Sequence, residues 1–191
     1  MAKSGLITLS STPRRPIGVI NDDYFYRSLV ALITASDAAQ DSYRLRLPTM
    51  DRRYWVKEYC TVRVGGPRGC GKTESIFRYI LDHNVSAYYF TNSRDCATSS
   101  RDRLYRMLGE RGINTRGETM NRIDLNETTF INIDFANRTT LDSYRSAENA
   151  PFIFVDNCMW IENATERLFS VMQFAESMIR QEENFHFVMI G

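Results

Sequence analysis

The sequence predicts an α/β fold with a mainly parallel central sheet and flanking helices, and three observations carry that prediction. Short apolar runs alternate with stretches of helical periodicity. One continuous apolar run, Phe152-Ile153-Phe154-Val155, has the composition of a central parallel strand and ends on Asp156. A glycine-rich loop joins one strand-like run to one helix-like run. With 191 residues, 43% of them hydrophobic, the chain can bury one substantial core, so one domain is expected over residues 21–191, behind an arm at 1–20.

Along the chain, Ser10-Ser11-Thr12-Pro13-Arg14-Arg15-Pro16 is turn-rich and basic without periodicity, which reads as a flexible arm able to touch a partner. Asn21 or Asp22 could cap a helix whose Phe25, Leu29, Leu32 and Ile33 form one apolar stripe that fades near Asp37, with a linker following to Pro48. In Asp51-Arg52-Arg53-Tyr54-Trp55, an aromatic among arginines either stacks on an adenine or, the favoured reading, joins the core. Tyr59 to Val64 is a β-branched and aromatic strand, and Ile76, Tyr79 and Ile80 recur at helical spacing after it. Ser86 to Thr91 reads as a second buried strand, and Leu104, Met107 and Leu108 mark a helix that Gly109 can end. Residues 109–126, glycine-bearing and charged, are expected to form a surface excursion before Thr128 to Phe135 alternates as a strand. A loop, Ala136 to Pro151, leads to the run ending at Asp156. Asn163 with Glu166 resembles a capping box for a helix whose Leu168, Val171, Met172, Ala175 and Ile179 face the core, and Phe185 to Ile190 forms a last buried strand before Gly191.

The loop is Gly66-Pro67-Arg68-Gly69-Cys70-Gly71-Lys72-Thr73, which matches the phosphate-binding pattern G-x-x-x-x-G-K-[ST] at every fixed position. Glycines let successive backbone N–H groups turn inward around phosphates, and the helix N-terminus adds partial positive charge. Lys72 would reach the β and γ phosphates of a nucleoside triphosphate, and Thr73 would set its hydroxyl on Mg²⁺. A carboxylate at the C-terminal tip of a central strand faces the same crevice, so Asp156 is expected to hold Mg²⁺ opposite Thr73. Hydrolysing enzymes of this class commonly place a glutamate next, where this chain has Asn157; an amide cannot accept a proton but can orient a water, so hydrolysis is expected to be slow, with Glu162 as a substitute candidate. Lys plus Arg number 24 against 23 Asp plus Glu, so any nucleic-acid contact would be a local patch. Cys60, Cys70, Cys96 and Cys158 lack metal-ligand spacing, and Cys70 inside the loop is the thiol whose position favours modification, although a plain small loop residue is the simpler reading. No run of eighteen apolar residues and no apolar leader occur, so a soluble protein of the cytoplasm is expected.

Together these residues resemble the ATPase domain of the large terminase subunits of tailed phages, the motors that package DNA into procapsids. Arg68 stands four residues before Lys72, where that family places an arginine on the γ phosphate. Phe152 to Ile161 resembles the family's Walker B stretch, with Asn157 departing from its acidic pair. Ser143-Tyr144-Arg145-Ser146 occupies the place of a Ser and Arg-Gly segment, with Ser146 in place of Gly. The resemblance, over roughly residues 50–191, implies an additional-strand P-loop ATPase that uses ATP and Mg²⁺, with Arg68, Lys72, Asp156 and Asn157 at the catalytic position. It further implies a homo-oligomeric ring on the portal, double-stranded DNA in its channel, a small terminase subunit as partner, and work in the host cytoplasm with transient residence at the procapsid portal. Large terminases also carry a coupling motif and a nuclease domain beyond this region, so the sequence is expected to be an N-terminal portion with the ATPase domain incomplete at its C-terminus. The rival readings are a helicase or AAA-type ATPase, and a nucleotide-binding regulatory module that has lost hydrolysis, to which Asn157 lends weight.

Overall fold

Both faces of the central sheet are apolar, and helices therefore cover both. The computed structural model describes residues 18–66, 70–91, 93–115, 117–119, 122–125, 128–134, 150–156, 164–180 and 183–191. In chain order the elements are α1 (Gly18–Tyr43), a 3-10 turn (Arg44–Thr49), α2 (Arg52–Trp55) continuing into a wider π-type turn (Val56–Cys60), β1 (Thr61–Val64), α3 (Lys72–His83), β2 (Ala87–Thr91) and α4 (Arg94–Glu110). There follow β3 (Gly117–Thr119), β4 (Arg122–Leu125), β5 (Thr128–Asp134), β6 (Phe152–Val155), α5 (Ala164–Met178) and β7 (His186–Ile190). The sheet has seven strands in the order β1-β7-β6-β2-β5-β4-β3. The first five in that order run parallel, and β4 and β3 extend the sheet antiparallel beyond β5. The mainly parallel sheet with flanking helices is thus the observed architecture.

The period of two along each strand divides the core into two layers. Val62, Val64, Ala87, Tyr89, Phe152, Phe154, Val188 and Ile190 face α1, α3 and α4, where Phe25, Leu29, Ile33, Ile76, Ile80 and Leu104 meet them. Tyr88, Phe90, Ile153, Val155 and Phe187 face the other way, against Trp55, Val56, Val171, Phe174, Ala175 and Ile179. At 2% exposure and 4.7 Å from the Tyr59 ring, Trp55 belongs to this second layer, which removes it as an adenine platform. Its neighbour Arg53 is engaged with Glu176 at 2.8 Å.

Helix α1 departs from its expected bounds. It starts at Gly18, ahead of Asn21 and Asp22, and runs through the expected linker to Tyr43, while Leu32 points outward. The extension is held by polar anchors that an apolar stripe does not reveal. Ser36 Oγ donates to the Tyr59 carbonyl at 2.7 Å, and Gln40 brackets Phe185, donating to its carbonyl at 2.9 Å and accepting from its N–H at 3.1 Å. Further along, α4 passes through Gly109 and stops just beyond it, at Glu110. Gly112 takes the left-handed conformation (φ 66°), with Ile113 N–H donating to Leu108 O at 3.0 Å and Gly112 N–H to Gly109 O at 3.1 Å, the two bonds of a Schellman stop. The excursion expected at 109–126 contains β3 and β4, whose main-chain pairing needs no apolar pattern to hold it. Residues 1–17 of the arm, the loop at 136–149 and Asn163 of the expected capping box lie outside the described residues. No helix among the described residues is long and apolar enough to cross a membrane.

Candidate nucleotide-binding site

Parallel strands end together at one edge of a sheet, and in open α/β folds the crevice beyond that edge binds ligands. Here β1 ends at Val64 and leads into Gly65 and Gly66, while β6 ends at Val155 and leads into Asp156. Between them lies β7, which comes after β6 in the chain. A strand inserted between the loop-bearing strand and the aspartate-bearing strand defines the additional-strand arrangement. The β1–β7 ladder continues past both strands, with Gly191 N–H donating to Val64 O and Gly66 N–H to Gly191 O, each at 3.1 Å. Gly66 is therefore fixed to the sheet edge.

At the far end of the loop, Gly71 adopts the left-handed conformation (φ 76°, ψ 17°), which glycine enters without a Cβ clash, and its carbonyl accepts the first helical bond of α3 from Ser75 N–H at 2.9 Å. Lys72 thus begins α3, and its Nζ donates back to Gly66 O at 2.6 Å. Cys70 is buried inside this turn. Pro67, Arg68 and Gly69 lie outside the described residues.

Alternation along β6 puts Phe152 and Phe154 on the α3 and α4 face, and Asp156 continues that phase toward the start of α3. Its N–H donates to Phe90 O at 2.9 Å, extending the β2–β6 ladder by one residue. Thr73 Oγ1 donates to Asp156 Oδ2 at 2.8 Å, so the two residues expected to share a magnesium ion are in contact. The same oxygen accepts from the hydroxyl of Tyr89, whose ring lies on β2 with its Cα paired to Phe154. Burial above all, and then the Asp156 charge, push the Tyr89 phenol well above its usual range, so it stays protonated and serves as a donor. Asp156 is 2% exposed, and its other oxygen, Oδ1, has no hydrogen-bond partner among the described residues.

A buried carboxylate oxygen without a donor is costly unless a cation meets it. The donor set fits magnesium: one carboxylate and one hydroxyl suit an ion that keeps several waters and takes its remaining oxygens from phosphates. No group of three or more His, Cys, Asp or Glu that could cage a metal occurs among the described residues.

Thr73 and Asp156 open onto a cleft of about 320 Å³ whose opposite wall is α4, through Asp95, Cys96, Ser99, Ser100 and Arg103. Arg103 lies 3.8 Å from Glu74 of α3. The sequence reading missed this wall. Its signal was a change of character along one helical face, since positions 96, 99, 100 and 103 continue the face of Met107 toward the start of the helix but carry polar and small residues in place of large apolar ones. Tyr89 was missed for a different reason, lying inside an apolar run where it reads as core. Asn157, Glu162, Cys158 and Ser143 to Ser146 lie outside the described residues.

No protein-family model matches the chain. No curated protein matches it significantly. Solved structures do. The N-terminal domain of the DNA packaging ATPase from bacteriophage phi29 superposes with a TM-score of 0.50 at 14% identity, over 74% of this chain and 78% of that one. The large terminase from a thermophilic bacteriophage gives a TM-score of 0.53 at 13% identity, over 77% of this chain and 37% of that one. The fold is that of the phage DNA-packaging ATPases. Within the packaging-ATPase fold, the loop after β1 and the aspartate after β6 occupy the strand ends at which P-loop proteins hold their ligand. The match spans little more than a third of that large terminase.

Proposed function

We propose that this chain binds ATP with Mg²⁺ in the crevice between β1 and β6 and hydrolyses it, as the ATPase domain of a viral DNA-packaging motor comprising residues 21–191 behind an arm at 1–20. The observation that carries the reading is the pairing of Thr73 with Asp156 at 2.8 Å, with Asp156 Oδ1 left without a hydrogen-bond partner among the described residues, on a fold shared with packaging ATPases. Loop N–H groups from Gly66 to Thr73, with Pro67, Arg68, Gly69, Cys70 and Gly71 between, would cradle the phosphates, and Lys72 would exchange the Gly66 carbonyl for phosphate oxygens. Thr73 and Asp156 would hold the ion. Bound Mg²⁺ supplies neutralisation of charge on the β and γ phosphate oxygens.

Arg68 is assigned to the γ phosphate and Asn157 to orienting the attacking water, with slow turnover as the consequence of its amide. Double-stranded DNA is the proposed substrate of translocation, in a homo-oligomeric ring with portal and small terminase subunit, working in the cytoplasm of the host and at the procapsid portal. The test is ATP binding with and without Mg²⁺, followed by turnover with and without DNA. Binding strengthened by Mg²⁺ and abolished in Lys72→Ala is expected, because removing the ammonium leaves phosphate charge uncompensated. Unchanged ATP affinity and turnover in Lys72→Ala would overturn the site.

A further inference from the structure

Of the two described side chains that donate to the Asp156 carboxylate, Thr73 follows the loop and Tyr89 lies on a different strand from the aspartate. Tyr89 is fully buried in the middle of β2, yet its hydroxyl reaches two residues past its register partner Phe154 to meet Asp156 Oδ2. A phenylalanine would fill the same space against Phe77, whose ring centroid lies 5.2 Å away. The hydroxyl is therefore surplus to packing, and it is placed where burying it without a partner would be costly. Its position also divides the carboxylate. Thr73 and Tyr89 both donate to Oδ2 and leave Oδ1 with no donor among the described residues, so the two oxygens of one side chain are made chemically unlike.

We propose that Tyr89 is a positioning residue for the metal site: its hydroxyl pins Asp156 Oδ2 so that Oδ1 is presented, rotationally fixed, to the divalent cation of the bound nucleotide. The inference rests on the nucleotide-site reading above. Asp156 has one torsion about Cα–Cβ and a broad one at the carboxylate, and a ligand that must find its orientation on each encounter binds a geometrically demanding ion less well than one held in place. Hydrogen-bond partners of metal ligands are worth about 10- to 100-fold in metal affinity. Tyr89 achieves this from a strand that also walls the core, which ties the carboxylate to the buried centre of the sheet.

The experiment is a titration of ATP binding against free Mg²⁺, with turnover playing no part in the readout. Tyr89→Phe should bind ATP without Mg²⁺ as the parent does, and should need about 10-fold more Mg²⁺ to reach half of the metal-dependent gain. Because Tyr89 acts through Asp156, adding Tyr89→Phe to Asp156→Ala should change the Mg²⁺ dependence no further. A folded Tyr89→Phe protein with the parent's Mg²⁺ dependence would overturn the proposal, and so would a further loss in the Asp156→Ala background. A second measurement uses the parent protein: one tyrosine ring-carbon resonance should move when Mg²⁺ is added to the ADP-bound state and should stay fixed in Asp156→Ala. Tyrosine resonances that ignore Mg²⁺ in the parent would count against it. Failure of the nucleotide site itself looks different, because ATP would then bind without regard to Lys72 or Mg²⁺ in every protein tested.

Discussion

Replacing Gly66 by alanine probes the glycine-rich loop through a single contact. A Cβ built at Gly66 lies 2.8 Å from Cys70 Sγ, with Phe25 and Lys72 carbons at an ordinary 3.8 and 3.9 Å. Favourable heavy-atom contacts begin near about 3.5 Å, so the methyl and the sulfur must separate by roughly 0.7 Å. The φ of Gly66 is outside the left-handed region, which leaves the contact as the source of the penalty. Cys70 cannot yield cheaply, because it is buried and immediately precedes the left-handed Gly71 that starts α3. Nor can Gly66, since its N–H is tied to Gly191 and its carbonyl to Lys72. Overpacking of this kind costs about 1–3 kcal/mol. Urea denaturation should register that loss as a lower midpoint at constant slope, and ATP titration should show weakened binding. Gly65→Ala is the control. Nothing lies within 4 Å of its new methyl, so it should be neutral or stabilising by about 0.4–1 kcal/mol. Removing the sulfur should relieve the clash, so Gly66→Ala with Cys70→Ala should recover at least about 1 kcal/mol relative to additivity. If Gly66→Ala behaves like Gly65→Ala, or if the double variant is merely additive, the packing of Cys70 under Gly66 is refuted.

Asp156→Ala should weaken ATP binding in Mg²⁺ far more than in its absence, measured by calorimetric titration in both conditions, and equal effects would remove Asp156 from the ion's shell. Asn157→Glu should raise kcat by on the order of 10²-fold with little change in ATP affinity if the amide stands where a base is missing; single-turnover hydrolysis beside Glu162→Gln checks this, and brisk parent turnover lost in Glu162→Gln would contradict it. His186 carries a pH signature. Burial lowers its pKa below the usual value near 6.5, against a smaller opposing pull from Asp37 at 3.1 Å. The unfolded chain therefore takes up the proton more readily, so this contribution to stability is full above about pH 6.5 and is lost as pH falls through the folded pKa. Denaturation midpoints between pH 7 and pH 5 should fall in the parent and flatten in His186→Gln, and parallel profiles would discount the histidine.

The loop, the aspartate and the order of elements were legible because each is written in local sequence. Glycines at 66 and 71 with Lys72 and Thr73 have a fixed spacing, and Phe152 to Val155 is apolar at every position because helices cover both of its faces. Strand order was a step further away, and it became readable only through the family whose topology the chain was expected to share. What escaped were interactions between residues distant in sequence. Gln40 and Phe185 stand 145 positions apart, so nothing near residue 40 announces that α1 continues. Tyr89 and Asp156 stand 67 apart, and a tyrosine between a tyrosine and a phenylalanine looks like core until the register of β2 against β6 is known. The pairing of β3 with β4 is carried by main-chain groups that every residue possesses, which leaves little for a side-chain pattern to show.

Because β7 lies between β1 and β6, the glycine-rich loop and Asp156 hang from strands two ladder spacings apart, about 9.5 Å at the usual interval of roughly 4.7–4.9 Å. The mouth of the crevice is therefore a gauge cut by backbone hydrogen bonds, and a side-chain substitution within it leaves that spacing in place. A relative slide of the two jaws must shear one of the two ladders that β7 makes, and Phe187, Val188 and Met189 belong to both.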